Sequence, residues 1–312
     1  MMPRIAVLGS SNTDMIVKLP SLPGPGETVI GGTFSMAAGG KGANQAVAAA
    51  RAGGKVTFIS RVGNDSFGQQ SITQFAKEGL DTSHVGIDRR AASGIALILV
   101  DQAGENSIGV ASGANAEISV SDVEKALDAI KSSDMLLSQL EIPLEAVEAA
   151  VAGAHQARVP VVLNPAPAQP LRGGILSRVS VLTPNEREAE QLTGTSIRDD
   201  AGTVQAARSL LQRGVQSVVI TLGGRGAYIA DPTHGEFVPA FHVRAVDTTA
   251  AGDVFSGALA VALAEKATLR EAAVFASAAA ALSVTKLGAQ PSAPPRVEIE
   301  SFLQQHYDGR VF

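Results

Sequence analysis

The 312-residue chain contains no cysteine, which excludes disulfides, thiolate nucleophiles and cysteine-ligated metals from any account of its chemistry. It has no tryptophan, aromatic residues make up 4% of it, and Lys and Arg are dispersed within a net charge of −5. A nucleic-acid partner, which needs a basic stripe or stacking rings, is therefore not expected. No apolar run is long enough to cross a bilayer, and Met1, Met2, Pro3 and Arg4 lead straight into a short apolar strand. The expectation is a cytoplasmic protein with no membrane partner. Two phosphate-binding signatures are also missing. There is no complete G-x-G-x-x-G, which disfavours a dinucleotide-dependent dehydrogenase, and Gly42 stands where a Walker A loop needs Ser or Thr after its lysine.

What the chain does have is a regular alternation of apolar runs and helical patterns. Residues 4–9, 56–62, 135–140, 160–163, 179–182 and 217–222 read as buried strands, and residues 227–230 as β-like. Residues 67–78, 121–130, 144–157, 186–192, 203–213 and 269–285 read as helices. This alternation predicts an α/β fold, a mostly parallel central sheet covered by helices on both faces, in one domain spanning residues 1–312. Two stretches break the rhythm. Residues 15–37 hold strand-like pieces around a loop rich in Pro and Gly, and residues 94–111 carry a hairpin signal joined at 101–105. Paired with each other, they would make a small β-sheet lid.

Distinctive polar residues recur directly after strands: Asn12 with Asp14, Glu141, Asn164, Asn185 with Glu188, the run from Thr221 to Gly226, and Asp247 with Asp253. In open α/β sheets ligands bind at the carboxyl ends of the strands. Each cluster also has a local explanation, since Glu141 can cap the next helix, Asn164 can turn before Pro165, and Asn185 with Glu188 can form a capping box.

The most informative stretch is Asp247-Thr-Thr-Ala-Ala-Gly-Asp253, which follows an alternating strand-like run at 242–246 and opens an apolar helical run at 254–264. A helix beginning there directs unpaired N–H groups and its positive dipole end into the turn, where an anion can sit without a side-chain cation. Gly252 permits close approach, and Asp253 would then be a carboxylate beside that anion, placed to take a proton from a substrate hydroxyl. An ordinary N-cap would use the same residues. Likewise Gly39, Gly40 and Gly42 around Lys41 can wrap a small polar ligand, or can simply turn the chain into the alanine-rich helix 43–52, whose first turn holds Asn44 and Gln45.

Taken together, Gly39-Gly-Lys-Gly-Ala-Asn44-Gln-Ala-Val-Ala, Asn164-Pro-Ala-Pro-Ala168, Thr183-Pro-Asn-Glu-Arg-Glu188, Thr221-Leu-Gly-Gly-Arg-Gly226 and Asp247-Thr-Thr-Ala-Ala-Gly-Asp253 resemble the ribokinase (PfkB-type sugar kinase) family. The resemblance runs from Val7 through Gly288-Ala-Gln-Pro-Ser292. It implies a ribokinase-like fold and ATP-dependent phosphorylation of D-ribose at its 5-hydroxyl, giving ribose 5-phosphate and ADP. It implies that Asn12, Asp14, Gly40, Lys41, Gly42, Asn44 and Glu141 hold the sugar. Asp253 would be the catalytic base, with the amides of Ala250, Ala251, Gly252 and Asp253 as the anion hole. Asn185, Glu188, Thr221, Gly223, Gly224, Gly226, Gly252 and Ser277 would serve the nucleotide, Asn185 and Glu188 organising Mg²⁺ through water. Asp247, Thr249, Ser283, Lys286, Gly288 and Ser292 match an activating K⁺ site, mostly through carbonyl oxygens.

The resemblance also implies a homodimer through the lid. Same-family kinases acting on 2-deoxyribose, fructose or a nucleoside, or a non-catalytic sugar-binding protein, are the alternatives. Two departures stand out: Ser277 occupies a place where Asn or His often faces adenine, and Ala250 replaces a frequent glycine, a change expected to be harmless.

Overall fold

The structure is a computed structural model and describes residues 2–171 and 173–307. Apolar runs too short for helices become strands, in chain order β1 (Arg4–Leu8), β2 (Asn12–Lys18), β3 (Thr33–Gly39), β4 (Lys55–Gly63), β5 (Asp81–Asp88), β6 (Gly94–Val100) and β7 (Asn106–Ala111). They continue with β8 (Met135–Ser138), β9 (Val161–Leu163), β10 (Val181–Leu182), β11 (Ser217–Thr221), β12 (Ala227–Ala230) and β13 (Gly235–Val238).

Nine of these form one sheet in the order β13-β12-β11-β10-β9-β8-β1-β4-β5. It is parallel from β11 to β5, and β12 and β13 add an antiparallel edge. Both faces are covered, which is why β1 and β8 can be apolar at nearly every position. One core lies under the helices Lys41–Arg51, Ala251–Ala264 and Leu269–Ser283, and the other under Leu144–Gln156 and Asp200–Gln212. The mostly parallel sheet expected from the alternation is the one observed.

The remaining strands make a second sheet of four, in the order β3-β2-β6-β7. β6 and β7 form the hairpin, while β2 runs parallel to β6 and antiparallel to β3. In this register Asn12 is flanked by Gly39 on one side and Gly94 on the other.

Three details depart from the sequence pattern. Residues 242–246 are not a strand: they pair with no strand among the described residues, and the N–H groups of Val246 and Asp247 go instead to the Val284 carbonyl, at 2.7 and 3.1 Å. The helix expected at 121–130 is broken at Ala126 (φ −95°, ψ 1°) into Val120–Lys125 and Leu127–Lys131. β5 and β13, at the two sheet edges, and the helix Arg296–His306 went unpredicted. Among the described residues no helix is long and apolar enough to cross a membrane.

Candidate functional site

The end of β1 and the start of the helix Lys41–Arg51 are pressed together because glycines line the contact. A Cβ on Gly42 would lie 2.5 Å from Gly9 C and Ser10 N, and one on Gly40, at φ 87°, would lie 2.7 Å from Asn12 N. Only glycine fits such an approach, and Gly40 also needs the left-handed region. Glu141, just past β8, fixes the junction, its Oε2 accepting from Ser10 Oγ at 2.7 Å and from Lys41 N at 2.9 Å.

The helix Ala251–Ala264 packs across the helix Lys41–Arg51 just as closely. A Cβ on Gly257 would lie 2.7 Å from Gln45 O and 2.8 Å from Ala48 Cβ. This spacing brings two amides onto Asp253: Asn44 Nδ2 donates to its Oδ2 and Gln45 Nε2 to its Oδ1, both at 3.0 Å. Gln45 Nε2 also donates to Asn164 Oδ1 at 3.1 Å, and Asn164 Nδ2 to Thr183 O at 2.8 Å. Asp253 is 6% exposed. Burial raises its carboxyl pKa; the Lys41 charge and the Asn44 and Gln45 donors oppose that rise, and Glu141 adds to it.

Lys41 sits among Asp253, Glu141 and Glu188, whose charges outweigh the effect of burial and hold its ammonium pKa above the usual value. It stays protonated. The Asp14 carboxyl is pushed up to about 6 by burial and by the negative charges of Glu141 and Asp253. It packs against Gly39, where a Cβ would lie 2.2 Å from both of its oxygens. Asn12 and Asp14, two apart on β2, share a face. Among the described residues Asn44 Oδ1 and Gln45 Oε1 are buried without a hydrogen-bond partner, leaving two acceptors that a hydroxyl could satisfy.

A cleft begins on the other side of the Asp253 helix, between Gly223, Gly224 and Gly226 and the wall formed by Phe255, Ser277 and Val284. A Cβ on Gly223, Gly224 or Gly252 would meet nothing, so these backbones border open space. Gly226, at φ 97°, instead turns the chain tightly against Val238. A smaller cavity holding Lys41, Glu188 and Asp253 shares Thr221, Thr248, Ala251 and Gly252 with that cleft, so the two meet at the helix N-terminus. There the N–H of Ala251 goes to Thr248 O at 3.3 Å, while those of Gly252 and Asp253 have no backbone acceptor among the described residues.

Asn185 pairs with Thr221 across an isolated parallel bridge, and it does form the capping box with Glu188: Asn185 Oδ1 accepts from Glu188 N at 2.8 Å and Glu188 Oε2 from Asn185 N at 2.9 Å. The local explanation therefore holds, yet both residues also line the smaller cavity. Burial raises the Glu188 carboxyl pKa, the Asn185 N–H and Lys41 counter the rise, and Asp253 reinforces it. Among the described residues there is no cluster of three or more His, Cys, Asp or Glu able to hold a metal. One carboxylate, water and phosphate oxygens are nonetheless a donor set that Mg²⁺ accepts.

Asp247 joins its turn to the loop at Gly288, accepting from Thr249 N at 2.9 Å and Gly288 N at 2.8 Å. Burial alone would raise its carboxyl pKa, but donors from Thr249 and Gly288 hold it below the usual range. The hydroxyls of Ser283 and Ser292 are turned back onto the carbonyls of Ala280 and Ala289, and Lys286 Nζ is engaged by Glu298. Each of the three also has a backbone carbonyl oxygen to offer a cation, and the donating hydroxyls of the two serines keep their lone pairs. Ala250 adopts φ 59°, ψ 12°, a left-handed conformation that a Cβ disfavours and a glycine would accept freely.

The residue that sequence reasoning missed is Asn115. It lies on a short turn after β7, 1% exposed and bonded to Ser11 and Asn12. It follows no strand of the larger sheet and belongs to no motif, so no local signal marked it.

A model of the pfkB family carbohydrate kinases matches residues 2–296. A ribokinase of Haemophilus influenzae is 47% identical over 300 residues, spanning 96% of this chain and 98% of the relative. The crystal structure of a ribokinase from Thermotoga maritima superposes with a TM-score of 0.88 at 39% identity, covering 97% of this chain and 100% of that one. The structure of an Arabidopsis thaliana ribokinase complexed with ribose and ATP does so with a TM-score of 0.91 at 31% identity, covering 97% and 99%.

Proposed function

The chain belongs to the pfkB family of carbohydrate kinases, and we propose that it transfers the γ-phosphoryl group of ATP to the 5-hydroxyl of D-ribose, giving ribose 5-phosphate and ADP. The observation that carries this reading is the position of Asp253. It is an enclosed carboxylate at a helix N-terminus, with the polar residues of β2 and the helix Lys41–Arg51 on one side and the glycine-lined cleft on the other.

Phosphoryl transfer requires an in-line oxygen and stabilisation of charge on the equatorial oxygens, with little covalent help. Asp253 accepts the proton of the sugar hydroxyl as its oxygen bonds to phosphorus, and the bond to the ADP oxygen breaks. The N–H groups of Gly252 and Asp253, with the dipole behind them, receive the negative charge of the phosphoryl oxygens. Ala250 and Ala251 shape that turn, although the Ala251 N–H already has an acceptor.

Asn12, Asp14, Gly40, Lys41, Gly42, Asn44 and Glu141 form the sugar side. A sugar lacking a hydroxyl would leave one of their polar groups unpaired, at about 1–3 kcal/mol each. Asn185, Thr221, Gly223, Gly224, Gly226, Gly252 and Ser277 take the nucleotide. Mg²⁺, entering with ATP, would be held through water by Glu188 and Asn185 and would neutralise phosphate charge. Asp247, Thr249, Ser283, Lys286, Gly288 and Ser292 would hold K⁺, which would supply positive charge to the anion turn; the Asp247 bond to Gly288, which brings the two segments together, supports this reading.

The four-stranded sheet, segments 15–37 and 94–111, acts as a lid on a single domain and keeps water from competing with the sugar. Among the described residues its β3 and β7 edges have no further strand, and Phe34, Met36, Leu97 and Ile108 on it are more than half exposed. Two lids packed together in a homodimer would cover both liabilities. The protein works in the cytoplasm.

ADP release should be measured from ATP and Mg²⁺ with ribose, 2-deoxyribose, fructose and adenosine, in potassium and in sodium, alongside the mass in solution. Turnover strongest with ribose in potassium, by a dimer, is the expected result. Preference for another acceptor would change the substrate and keep the mechanism, whereas sugar binding without turnover would favour a non-catalytic binding protein.

A further inference from the structure

Asn115 spends all of its side-chain hydrogen bonds on two consecutive residues. Its Oδ1 accepts from Ser11 N at 2.8 Å, and its Nδ2 donates to Ser11 O at 3.1 Å and to Asn12 Oδ1 at 2.7 Å. The backbone of Ser11 decides which way the amide faces, because a peptide N–H can only donate and a carbonyl can only accept. Asn115 therefore cannot be turned over, and the Asn12 atom facing its Nδ2 has to be the carbonyl oxygen. Asn12 is left with its own Nδ2 and no protein acceptor for it among the described residues.

On the same face of β2, neither carboxylate oxygen of Asp14 receives a hydrogen bond from the described residues, and an ionised carboxylate only accepts. Gly94 leaves room for the arrangement, since a Cβ there would lie 2.2 Å from Asn115 Nδ2 and 2.3 Å from Asn12 Oδ1. At neutral pH a donor held in place by Asn115 and an ionised acceptor thus stand side by side.

We propose that Asn115 is a positioning residue for sugar selection: it locks Asn12 in a donor-only orientation, so that a ligand hydroxyl accepts from Asn12 while a hydroxyl proton goes to Asp14. A vicinal diol meets this polarity and a deoxy sugar does not. Asn115 does this without touching the sugar. The inference rests on Asn12 and Asp14 being the sugar side of the site, and adds what sets their polarity. It also ties that polarity to the lid, because Asn115 follows β7, Asn12 begins β2 and Gly94 begins β6.

The test is to make Asn115→Leu and Asn115→Ser in the full chain, with Asn12→Ala and the Asn12→Ala/Asn115→Leu double variant. For each, KM for ribose, KM for ATP, kcat, sugar-independent ATP hydrolysis and Tm are measured, with 2-deoxyribose and 3-deoxyribose as comparison acceptors. Freed from the lock, Asn12 can present either end of its amide. KM for ribose is then expected to rise about tenfold or more, and the preference for ribose over its deoxy analogues to fall by a similar factor. KM for ATP and sugar-independent hydrolysis should hold.

The double variant should be little worse than Asn12→Ala, because the two residues act as one unit. A folded Asn115→Leu or Asn115→Ser protein with unaltered ribose KM and preference would overturn the proposal, as would losses that multiply in the double variant. If Leu prevents folding, Asn115→Ser carries the test. A wild-type protein with no ribose-dependent turnover would instead refute the sugar-site reading; unaltered variants beside an active wild type would refute this inference alone.

Discussion

Asn44 and Asp253, 209 residues apart in the chain, are joined by a 3.0 Å hydrogen bond from the Asn44 amide to the Asp253 carboxylate. A residue proposed to read the sugar thereby also holds the proposed base, and Gln45 holds the base's other oxygen. The proposed sugar contact and the support of the proposed base thus come from two consecutive residues of one helix.

Asp253→Asn replaces the acceptor of the proton with a group that cannot take one, while nearly preserving its shape. Turnover should fall roughly a hundredfold or more. Ribose affinity, measured by calorimetry, should stay close to that of the wild type. Near-normal kcat would remove Asp253 from the role of base.

Gln45→Leu removes one of the donors that favour the ionised form of Asp253 against burial. The Asp253 pKa should then rise, and the acidic limb of the kcat profile with it, so that activity is lost at a higher pH than in the wild type. A limb that stays in place while kcat drops would mean that Gln45 serves packing alone.

Asp14, with a pKa pushed up to about 6, is ionised at neutral pH and protonates as the pH falls through 6. Once protonated it loses acceptor capacity, so ribose affinity should weaken below that pH. ATP affinity should be unaffected over the same range. In Asp14→Asn, ribose affinity should be weak throughout and flat across it. A wild-type ribose Kd constant between pH 7 and 5 would contradict the assignment.

Ala250 holds φ 59° at the turn before the Asp253 helix. Ala250→Gly should relieve the contact between Cβ and backbone and stabilise the fold by roughly 1 kcal/mol, read as a shifted denaturant midpoint at unchanged m-value. A destabilised protein would show that the left-handed turn owes its conformation to something other than local backbone preference.

Much of the larger sheet was legible because its strands are buried on both faces and read as continuous apolar runs, as in Ile5 to Leu8. β5 was not legible because an edge strand need not be apolar, and Asp81, Thr82, Ser83 and His84 look like a loop. The converse error lay at residues 242–246, where alternation suggested a strand but pairing requires a neighbour that the sequence does not announce. Asp253 was legible from a local logic of turn, helix start and carboxylate. Its hydrogen bonds to Asn44 and Gln45 were not, since they depend on how two helices pack. Asn115 was the hardest to see, because its role exists only through Ser11 and Asn12, more than a hundred residues earlier.

Gly257, one helical turn beyond Asp253, acts as the gauge block of the site. With only a hydrogen between its Cα and the backbone of Gln45, it fixes the distance between two helices, and hence the bite of Asn44 and Gln45 on the carboxylate. A single methyl group there would open that bite like a shim in a hinge. Gly257→Ala is accordingly expected to damage kcat while lying within the hydrophobic interior and touching no ligand. The machine's tolerance is set by an atom that is not there.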